Sequence, residues 1–283
     1  MTDLFDFKLK SSGFAVMGNP VQHSKSPQIH RLFAQQCGIA IDYDRIQVDA
    51  GGFDQAISHF SAHGGAGLNI TLPYKVKAWR FCQQGQNSLS HRASQAQAVN
   101  TLRFENQGGV FGDNTDGAGL VADLQNNIGF SIQDKSILVV GAGGAARGVI
   151  GSLLACCPLR ITIANRTVDK ATALSEQFGD DVQGVGLDRA ADRSFDLIVN
   201  GTAASLAGQL PGIGGKCIAK NTLVYDLMYD AQPTIFMNWA LAQGAAQAHD
   251  GLGMLVEQAA ESFYVWHRRR PHSRPVIDAL RRF

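Results

Sequence analysis

SILVVGAGGAARGVIGSLL, residues 136–154, decides the fold class of this chain. An apolar run leads into a glycine-rich turn, and a sequence with helical character follows the turn directly. Gly141 and Gly143 occupy the first two places of a GxGxxG/A pattern, and Ala146 occupies the third. The first glycine permits a tight turn, and the second lets the backbone approach a pyrophosphate at the helix N-terminus. The stretch therefore predicts a dinucleotide-binding βαβ unit, although glycine-rich turns also occur for packing alone.

The second strand of this unit indicates which dinucleotide is bound. It lies in RITIAN, 160–165, and ends roughly 20 residues beyond the glycines, where an acid usually accepts hydrogen bonds from a ribose. Here Asn165, Arg166 and Thr167 stand at that place, and Lys170 follows one helical turn later. Cations favour a 2′-phosphate, so the sequence predicts NADP rather than NAD. The alternative is a solvated basic helix start.

Composition limits the class of protein. The chain has 283 residues, 45% of them hydrophobic and 17% charged, which is typical of a soluble globular protein with room for two domains. Its 25 basic and 24 acidic side chains nearly balance, so we expect neither nucleic acid nor a membrane as partner. The five cysteines lack a CxxC pair, and we assign the eight histidines no HxxxH or HxH spacing, so we predict no metal site. No secretion signal is evident, which predicts a cytoplasmic protein.

Strand-like and helix-like stretches alternate along the chain, which favours α/β domains with parallel sheets. A long amphipathic helix is predicted at 253–269, and GDNTDG, 112–117, is the expected seam between two domains. The strands outside the βαβ unit are predicted in GFAVMG (13–18), YDRIQV (43–48), GLNITL (67–72), AVNTLRF (98–104), FDLIVN (195–200) and TLVYDL (222–227).

NPVQHSKSPQIH, 19–30, places two serines at a helix start. We expect Ser26 to be the N-cap, with Pro27 in the first helical position. The hydroxyls of Ser24 and Ser26, together with free backbone N–H groups, would form a cradle for a carboxylate. Ordinary capping by Ser26 is the alternative, but it explains only one of the two serines.

Three further segments place polar groups at the ends of predicted strands. In GLNITLPYK, 67–75, Asn69 and Thr71 are predicted to share one face of a buried strand, where a ligand would satisfy them, and Lys75 follows at its end. Asn100 follows an apolar strand start, and Asp116 precedes a helix. A lone lysine at a strand end is more often solvated, and Asp116 could serve only as an N-cap.

Taken together, these segments resemble the motifs of the shikimate dehydrogenase family over nearly the whole chain. The resemblance implies reversible reduction of 3-dehydroshikimate to shikimate by NADPH, a step in the biosynthesis of chorismate and the aromatic amino acids. The texts that carry it are GNPVQHSKSP, GLNITLPYK, AVNT, GDNTDG, GAGGAAR, NRT, NGTAAS, YDLMY and DGLGMLVEQAA.

The resemblance also implies roles for individual residues. Lys75 and Asp116 match the catalytic pair of the family. The substrate-binding positions are matched by Ser24, Ser26, Thr71, Asn100, Tyr229 and Gln258. The cofactor-binding positions are matched by Gly141, Ala142, Gly143, Gly144, Ala145, Asn165, Arg166, Thr167, Lys170, Thr202, Leu227 and Gly251.

The implied fold is α/β with two domains. Residues 1–115 with 251–283 form a discontinuous substrate-binding domain, and 116–250 form a Rossmann-type NADP-binding domain with a parallel sheet. The partner is a small-molecule substrate, and the chain acts as a monomer or homodimer. Two alternatives stay open: a quinate/shikimate dehydrogenase that accepts NAD, and a catalytically silent protein that binds NADP or shikimate.

Overall fold

The computed structural model describes residues 13–105 and 108–282, without the side chain of Leu206. These residues belong to two compact units. The first unit ends at Thr115 and includes Ala259–Val276, while the second comprises Asp116–Gln258 and the residues from Ile277 onward. The division at 115/116 lies in the expected seam, but the return falls at 258/259 rather than 250/251. The reason is that the helix Leu252–His267 contributes residues to both units.

The first unit is built on a six-stranded mixed sheet. Its strand order is β2-β1-β3-β5-β6-β4, and the first three of these strands are parallel. β5 is antiparallel to both of its neighbours, β3 and β6. The alternation of strands and helices predicted parallel pairing, and this prediction is wrong for the pairings of β5 with β3 and β6. The elements are β1 (Gly13–Gly18), α1 (Ser26–Cys37), β2 (Asp42–Gln47), α2 (Phe53–Ala62), β3 (Gly65–Ile70), α3 (Lys75–Cys82), β4 (Ser88–Leu89), α4 (His91–Ala96), β5 (Thr101–Phe104) and β6 (Val110–Asp113).

The second unit is built on a six-stranded sheet in which every pairing is parallel. Its order is β12-β11-β10-β7-β8-β9, so the chain turns from one side of β7 to the other between β9 and β10. This is the doubly wound order, and it confirms the predicted α/β fold class with a Rossmann-type sheet. The elements are α5 (Asp116–Ala122), a π-helical turn (Asp123–Ile128), β7 (Ser136–Val140), α6 (Gly144–Leu154), β8 (Arg160–Asn165), α7 (Val168–Ser175), β9 (Val182–Gly186), β10 (Phe195–Asn200), β11 (Ile218–Asp226), α8 (Ile235–Ala242) and β12 (Gln247–His249), then α9 (Leu252–His267) and α10 (Arg274–Arg281).

Both faces of the second sheet are buried, which explains its continuous apolar strands. In β7, Ile137 and Val139 pack into one apolar cluster, whereas Leu138 and Val140 pack into another. Side chains alternate between the faces of a strand, so a strand covered on both sides needs apolar residues at successive positions. No helix in the described residues has both the length and the apolar character required to cross a bilayer.

A buried polar cluster lies beneath α1 in the first unit. The rings of His30 and Tyr43 stack with centroids 4.5 Å apart. Asn69 Oδ1 accepts a hydrogen bond from the Tyr43 hydroxyl at 2.7 Å and lies 3.1 Å from His30 Nε2. Burial lowers the pKa of His30 to about 3, so this ring is neutral at physiological pH. The cluster joins α1 to β2 and β3 and so fixes the position of α1, whose start carries the predicted carboxylate cradle.

Candidate active site

One edge of the first sheet gathers five of the predicted site residues. β1 and β3 are parallel and end at Gly18 and Ile70. β5 runs the opposite way and begins at this edge, where the Ile70 N–H group donates to the Asn100 carbonyl at 2.8 Å. The segments that leave or enter the sheet here carry Ser24, Ser26, Thr71, Lys75 and Asn100.

The two serines are adjacent at the start of α1. Lys25 is the N-cap and makes no side-chain capping bond, and Ser26 is the first helical residue, so the predicted cap is wrong by one position. The Ser26 N–H group donates to Ser24 Oγ at 3.3 Å, and the two hydroxyl oxygens are 3.1 Å apart. Both hydroxyls therefore stand beside the first N–H groups of a helix, an arrangement that suits a carboxylate.

Asn69 and Thr71 do not form the polar strand face that was predicted. β3 ends at Ile70, so Thr71 lies beyond it, half-buried, and its N–H group donates to the Met17 carbonyl at 2.9 Å. Asn69 is satisfied within the protein, since its Nδ2 donates to Asn100 O at 3.3 Å and to Ser262 Oγ at 3.1 Å. Asn69 thus supports the backbone at the site instead of requiring a ligand.

Lys75 and Asn100 are connected through the backbone of the first unit. Lys75 is the half-buried first residue of α3, and its carbonyl accepts the Val99 N–H group at 2.8 Å. The buried Asn100 side chain donates to Thr115 Oγ1 at 2.9 Å and accepts the Thr115 N–H group at 2.9 Å. Asp116, the other predicted catalytic residue, is the buried first residue of α5 in the second unit.

The carboxyl edge of the second sheet gathers the predicted cofactor residues. In β7 and β8 Val140 pairs with Ala164, and in β10 and β11 Asn200 pairs with Asp226, so the strand ends are in register. Gly251 joins this edge because its N–H group donates to the Met228 carbonyl at 2.9 Å. A Cβ atom at position 251 would collide with the carbonyl of Leu227, so only glycine fits there. Ligands of doubly wound sheets bind at this edge, where the strand order reverses.

The glycine-rich turn leaves room for a ligand. Gly141 has φ 106°, a left-handed conformation that favours glycine, and its N–H group donates to Ala164 O at 2.8 Å. A Cβ atom added at Gly143 or Gly144 would meet no protein atom within 4 Å. α6 begins at Gly144, and its N-cap provides no side-chain acceptor. The space beside Gly143 and Gly144 at the start of α6 is therefore open, and a pyrophosphate can approach the backbone there.

Gly143→Ala should separate folding from cofactor binding. Gly143 has φ −85° and its Cβ would enter open space, so we expect an unchanged or slightly higher melting temperature without ligand. The same methyl group would occupy room needed for close approach of a pyrophosphate, and we expect NADPH affinity to fall about tenfold or more. Fluorescence titration with NADPH and thermal unfolding measure the two effects. Gly212→Ala, at another open position, is the control that should keep full affinity, and unchanged affinity in Gly143→Ala would refute the pyrophosphate site.

The end of β8 presents cations to solvent. Arg166 and Lys170 are exposed, and neither side chain makes a hydrogen bond or ion pair with any described residue. Asn165 Nδ2 donates to Thr167 O at 2.9 Å, which shapes the turn, and Thr167 is the N-cap of α7. A guanidinium and an ammonium at a helix start form a suitable site for a phosphate group.

Tyr229 and Gln258 are the remaining predicted substrate residues, and both lie in the second unit. Tyr229 is half-buried in the segment after β11, and burial raises the pKa of its hydroxyl. Gln258 lies on α9, where its Nε2 donates to Leu255 O at 2.8 Å. A Cβ atom at Gly119 would overlap the backbone of Gln258, so the absence of a side chain there allows α5 and α9 to pack closely.

Sequence reasoning missed two features. His59 and His63 do have HxxxH spacing, so the interpretation of the histidines was wrong for this pair, whose ring centroids are 4.0 Å apart. Within 13–105 and 108–282 no group of three or more histidine, cysteine or acidic side chains is placed to hold a metal ion. The second missed feature is the buried Asp226, whose strand-end position gave no sign that four donors surround it.

Comparison with known proteins identifies the family. Residues 16–102 match the model described as the shikimate dehydrogenase substrate binding domain, and 123–207 match the model of shikimate / quinate 5-dehydrogenase. The chain is 53% identical over 270 residues to the shikimate dehydrogenase (NADP(+)) of Alkalilimnicola ehrlichii, which covers 95% of this chain and 98% of that protein.

Solved structures give the same result. The shikimate 5-dehydrogenase of Thermus thermophilus, solved in complex with NADP(H) and shikimate, is 29% identical, with a TM-score of 0.85 over 96% of this chain and 99% of that chain. An Ael1 enzyme from Pseudomonas putida is 38% identical, with a TM-score of 0.89 over 95% of this chain and 98% of that one.

Proposed function

Because this chain belongs to the shikimate dehydrogenase family, we propose that it catalyses the reversible, NADPH-dependent reduction of 3-dehydroshikimate to shikimate. The observation that carries the proposal is the pairing of two sheet edges in one chain. One edge bears hydroxyls at a helix start and a lysine. The other bears an open glycine-rich turn and two exposed cations that pair with no side chain in the described part of the chain. The first suits a small polar acid, and the second suits a phosphorylated dinucleotide.

Each part of NADP has suitable residues in the second unit. The N–H groups of the turn from Gly141 to Ala145 hold the pyrophosphate at the start of α6. Arg166 and Lys170 bind the 2′-phosphate, assisted by the polar groups of Asn165 and Thr167. The backbone around Thr202, Leu227 and Gly251 holds the nicotinamide end. When bound, NADPH supplies the hydride that reduces the substrate carbonyl carbon.

The substrate is a cyclic acid with several hydroxyl groups, and the chain offers partners for each kind of group. Ser24 and Ser26 donate hydrogen bonds to its carboxylate, together with the backbone N–H groups at the start of the helix. Thr71 and Asn100 bind ring hydroxyls, as do Tyr229 and Gln258. Held in this way, the ring presents one carbonyl carbon to the hydride.

Lys75 completes the reaction. Hydride addition turns the carbonyl oxygen into an alkoxide, which needs a proton. The Lys75 ammonium provides positive charge at that oxygen and donates the proton, and in the reverse direction the amine takes the proton back. Asp116 binds a ring hydroxyl of the substrate.

Steady-state kinetics with shikimate and quinate, each with NADP+ and NAD+, tests this proposal. We expect the highest kcat/KM for shikimate with NADP+, because the cations after β8 bind a 2′-phosphate that NAD+ lacks. A preference for quinate with NAD+ would instead favour the quinate/shikimate dehydrogenase. Tight NADPH binding without turnover of either acid would favour the silent binding protein.

We also propose that the enzyme works in the cytoplasm as a monomer or homodimer. All five cysteines are free, which is consistent with a reducing compartment. Sedimentation analysis at working concentration distinguishes the two oligomeric states.

A further inference from the structure

Asp226 is a fully buried acid at the carboxyl edge of the second sheet. It is the last residue of β11, and none of its surface is exposed. Its Oδ1 accepts hydrogen bonds from Asn200 Nδ2 at 3.1 Å and from the Met228 N–H group at 3.2 Å. Its Oδ2 accepts from Ser205 Oγ and Thr234 Oγ1, each at 2.7 Å. Four neutral donors therefore surround the two carboxylate oxygens.

This arrangement fixes two loops relative to each other. Ser205 lies in the loop after β10, while Met228 and Thr234 lie in the loop after β11. A buried carboxyl group left without its hydrogen bonds is costly, so both loops must stay where their donors reach it. Among the described residues no lysine, arginine or histidine side chain hydrogen-bonds to Asp226, so the geometry of the neutral donors alone satisfies this acid.

The same two loops carry the residues assigned to the nicotinamide end of the cofactor. Asn200, held by Asp226, accepts the Thr202 N–H group at 3.1 Å and the Thr202 hydroxyl at 2.7 Å through its Oδ1. Leu227 follows Asp226 directly, and its N–H group donates to Asn200 O at 3.0 Å. The Met228 carbonyl accepts the Gly251 N–H group. Thr202 and Gly251 are thus linked to the Asp226 carboxylate through Asn200 and Met228, and Leu227 is the next residue in the chain.

We infer that Asp226 is a positioning residue for hydride transfer: it clamps the loops after β10 and β11 so that the nicotinamide ring is held at the substrate carbon. The inference rests on the proposed function. Asp226 has no exposed surface with which to contact substrate or cofactor, so it acts through Asn200 and the Met228 backbone. A displacement of about 1 Å in a reacting group lowers a rate roughly 10²-fold, so a clamp of this kind is a sensitive point.

Two substitutions test whether the hydrogen bonds of Asp226, rather than its charge, position the loops. Asp226→Ala removes all four acceptor bonds, and we expect kcat to fall on the order of 10²-fold. Asp226→Asn keeps an oxygen for the two N–H donors, Asn200 Nδ2 and the Met228 backbone N–H group, neither of which can act as an acceptor. Its amide nitrogen would face the hydroxyls of Ser205 and Thr234, which can rotate and accept. We expect this variant to retain kcat within about threefold.

Ligand binding provides a readout that general destabilisation would not give. Adenosine 2′,5′-bisphosphate carries the adenine end of NADP without the nicotinamide. In Asp226→Ala we expect its Kd to be unchanged while the Kd of NADPH rises about tenfold, because Arg166 and the glycine-rich turn do not depend on Asp226. This ratio is measured without turnover, so it tests the clamp even if wild-type enzyme fails to oxidise shikimate, a result that would overturn the proposed function alone.

Controls cover folding. Thr222→Val removes a buried hydroxyl in the middle of β11, four residues before Asp226, where Thr222 Oγ1 donates to Phe195 O at 2.6 Å. It should lower the melting temperature without changing kcat or either Kd. Ser205→Ala removes one donor to Asp226 and serves if Asp226→Ala does not fold, with an expected three- to tenfold fall in kcat. Normal kcat in the folded Asp226→Ala or in Ser205→Ala, or parallel weakening of both ligands, would overturn the inference.

Discussion

Lys75→Ala will lower kcat by about 10²–10⁴-fold and change the KM for the substrate much less. The reason is that the alkoxide formed by hydride addition exists only late in the reaction, so the charge and proton of Lys75 act on the transition state and not on the bound substrate. The hydrogen bond from Val99 survives the change, because it uses the backbone carbonyl at position 75, which alanine keeps. Steady-state rates of NADPH oxidation with 3-dehydroshikimate give both constants.

Lys77→Ala is the matched control for this prediction. It removes the same charge from the same helix, but two positions along a helix turn the side chain by roughly 200°, away from Lys75. Lys77 is exposed, and its Nζ donates to Ala50 O at 2.6 Å and lies 5.7 Å from the centre of the Tyr74 ring. We expect it to keep wild-type kcat. Near-normal turnover by Lys75→Ala, or equal losses in both variants, would remove Lys75 from the mechanism.

Local sequence patterns were sufficient to predict the second sheet and its edge. The GxGxxA turn directly follows a strand and opens a helix, and each apolar strand has an interior that is buried on both faces. Such features depend on neighbours in the chain: a left-handed φ at Gly141, a helix start at Gly144 and a strand that ends at Asn165. The cations after that strand could therefore be placed at the edge from order and spacing alone.

Long-range partners are the part that the sequence could not supply. Asn69 was expected to need partners that a ligand could supply, yet Tyr43 and Ser262, which are distant in the chain, satisfy it. The surroundings of Asp226 could not be predicted for the same reason. Its four donors come from the end of β10, the loop after β10 and the loop after β11. A polar residue on a buried strand indicates only that some partner exists. The neighbouring sequence does not show whether this partner is a ligand or another part of the protein.

Arg166→Ala should raise the KM for NADPH about 10- to 100-fold and leave that for NADH nearly unchanged. Hydrogen bonds to a charged group are each worth roughly 1.5–3 kcal/mol, and about 1.4 kcal/mol corresponds to a factor of ten. The effect is selective because a guanidinium binds the 2′-phosphate in two places, whereas NADH offers only a hydroxyl there. Folding should be unaffected, since the side chain is exposed and unpaired among the described residues. Initial rates with each cofactor at saturating 3-dehydroshikimate give the two KM values.

Arg160→Ala tests whether the effect comes from location or only from loss of positive charge. Arg160 is the exposed first residue of β8, five residues before Asn165, so it lies roughly 16 Å from the carboxyl edge at the usual strand rise of about 3.3 Å per residue. Its removal changes net charge by the same amount, and screening over that distance leaves little influence on a phosphate. We expect wild-type constants with both cofactors. Equal weakening of NADPH and NADH binding by Arg166→Ala would contradict a phosphate site at this position. Arg166 would then be a solvated basic residue at a helix start, with no role in phosphate binding.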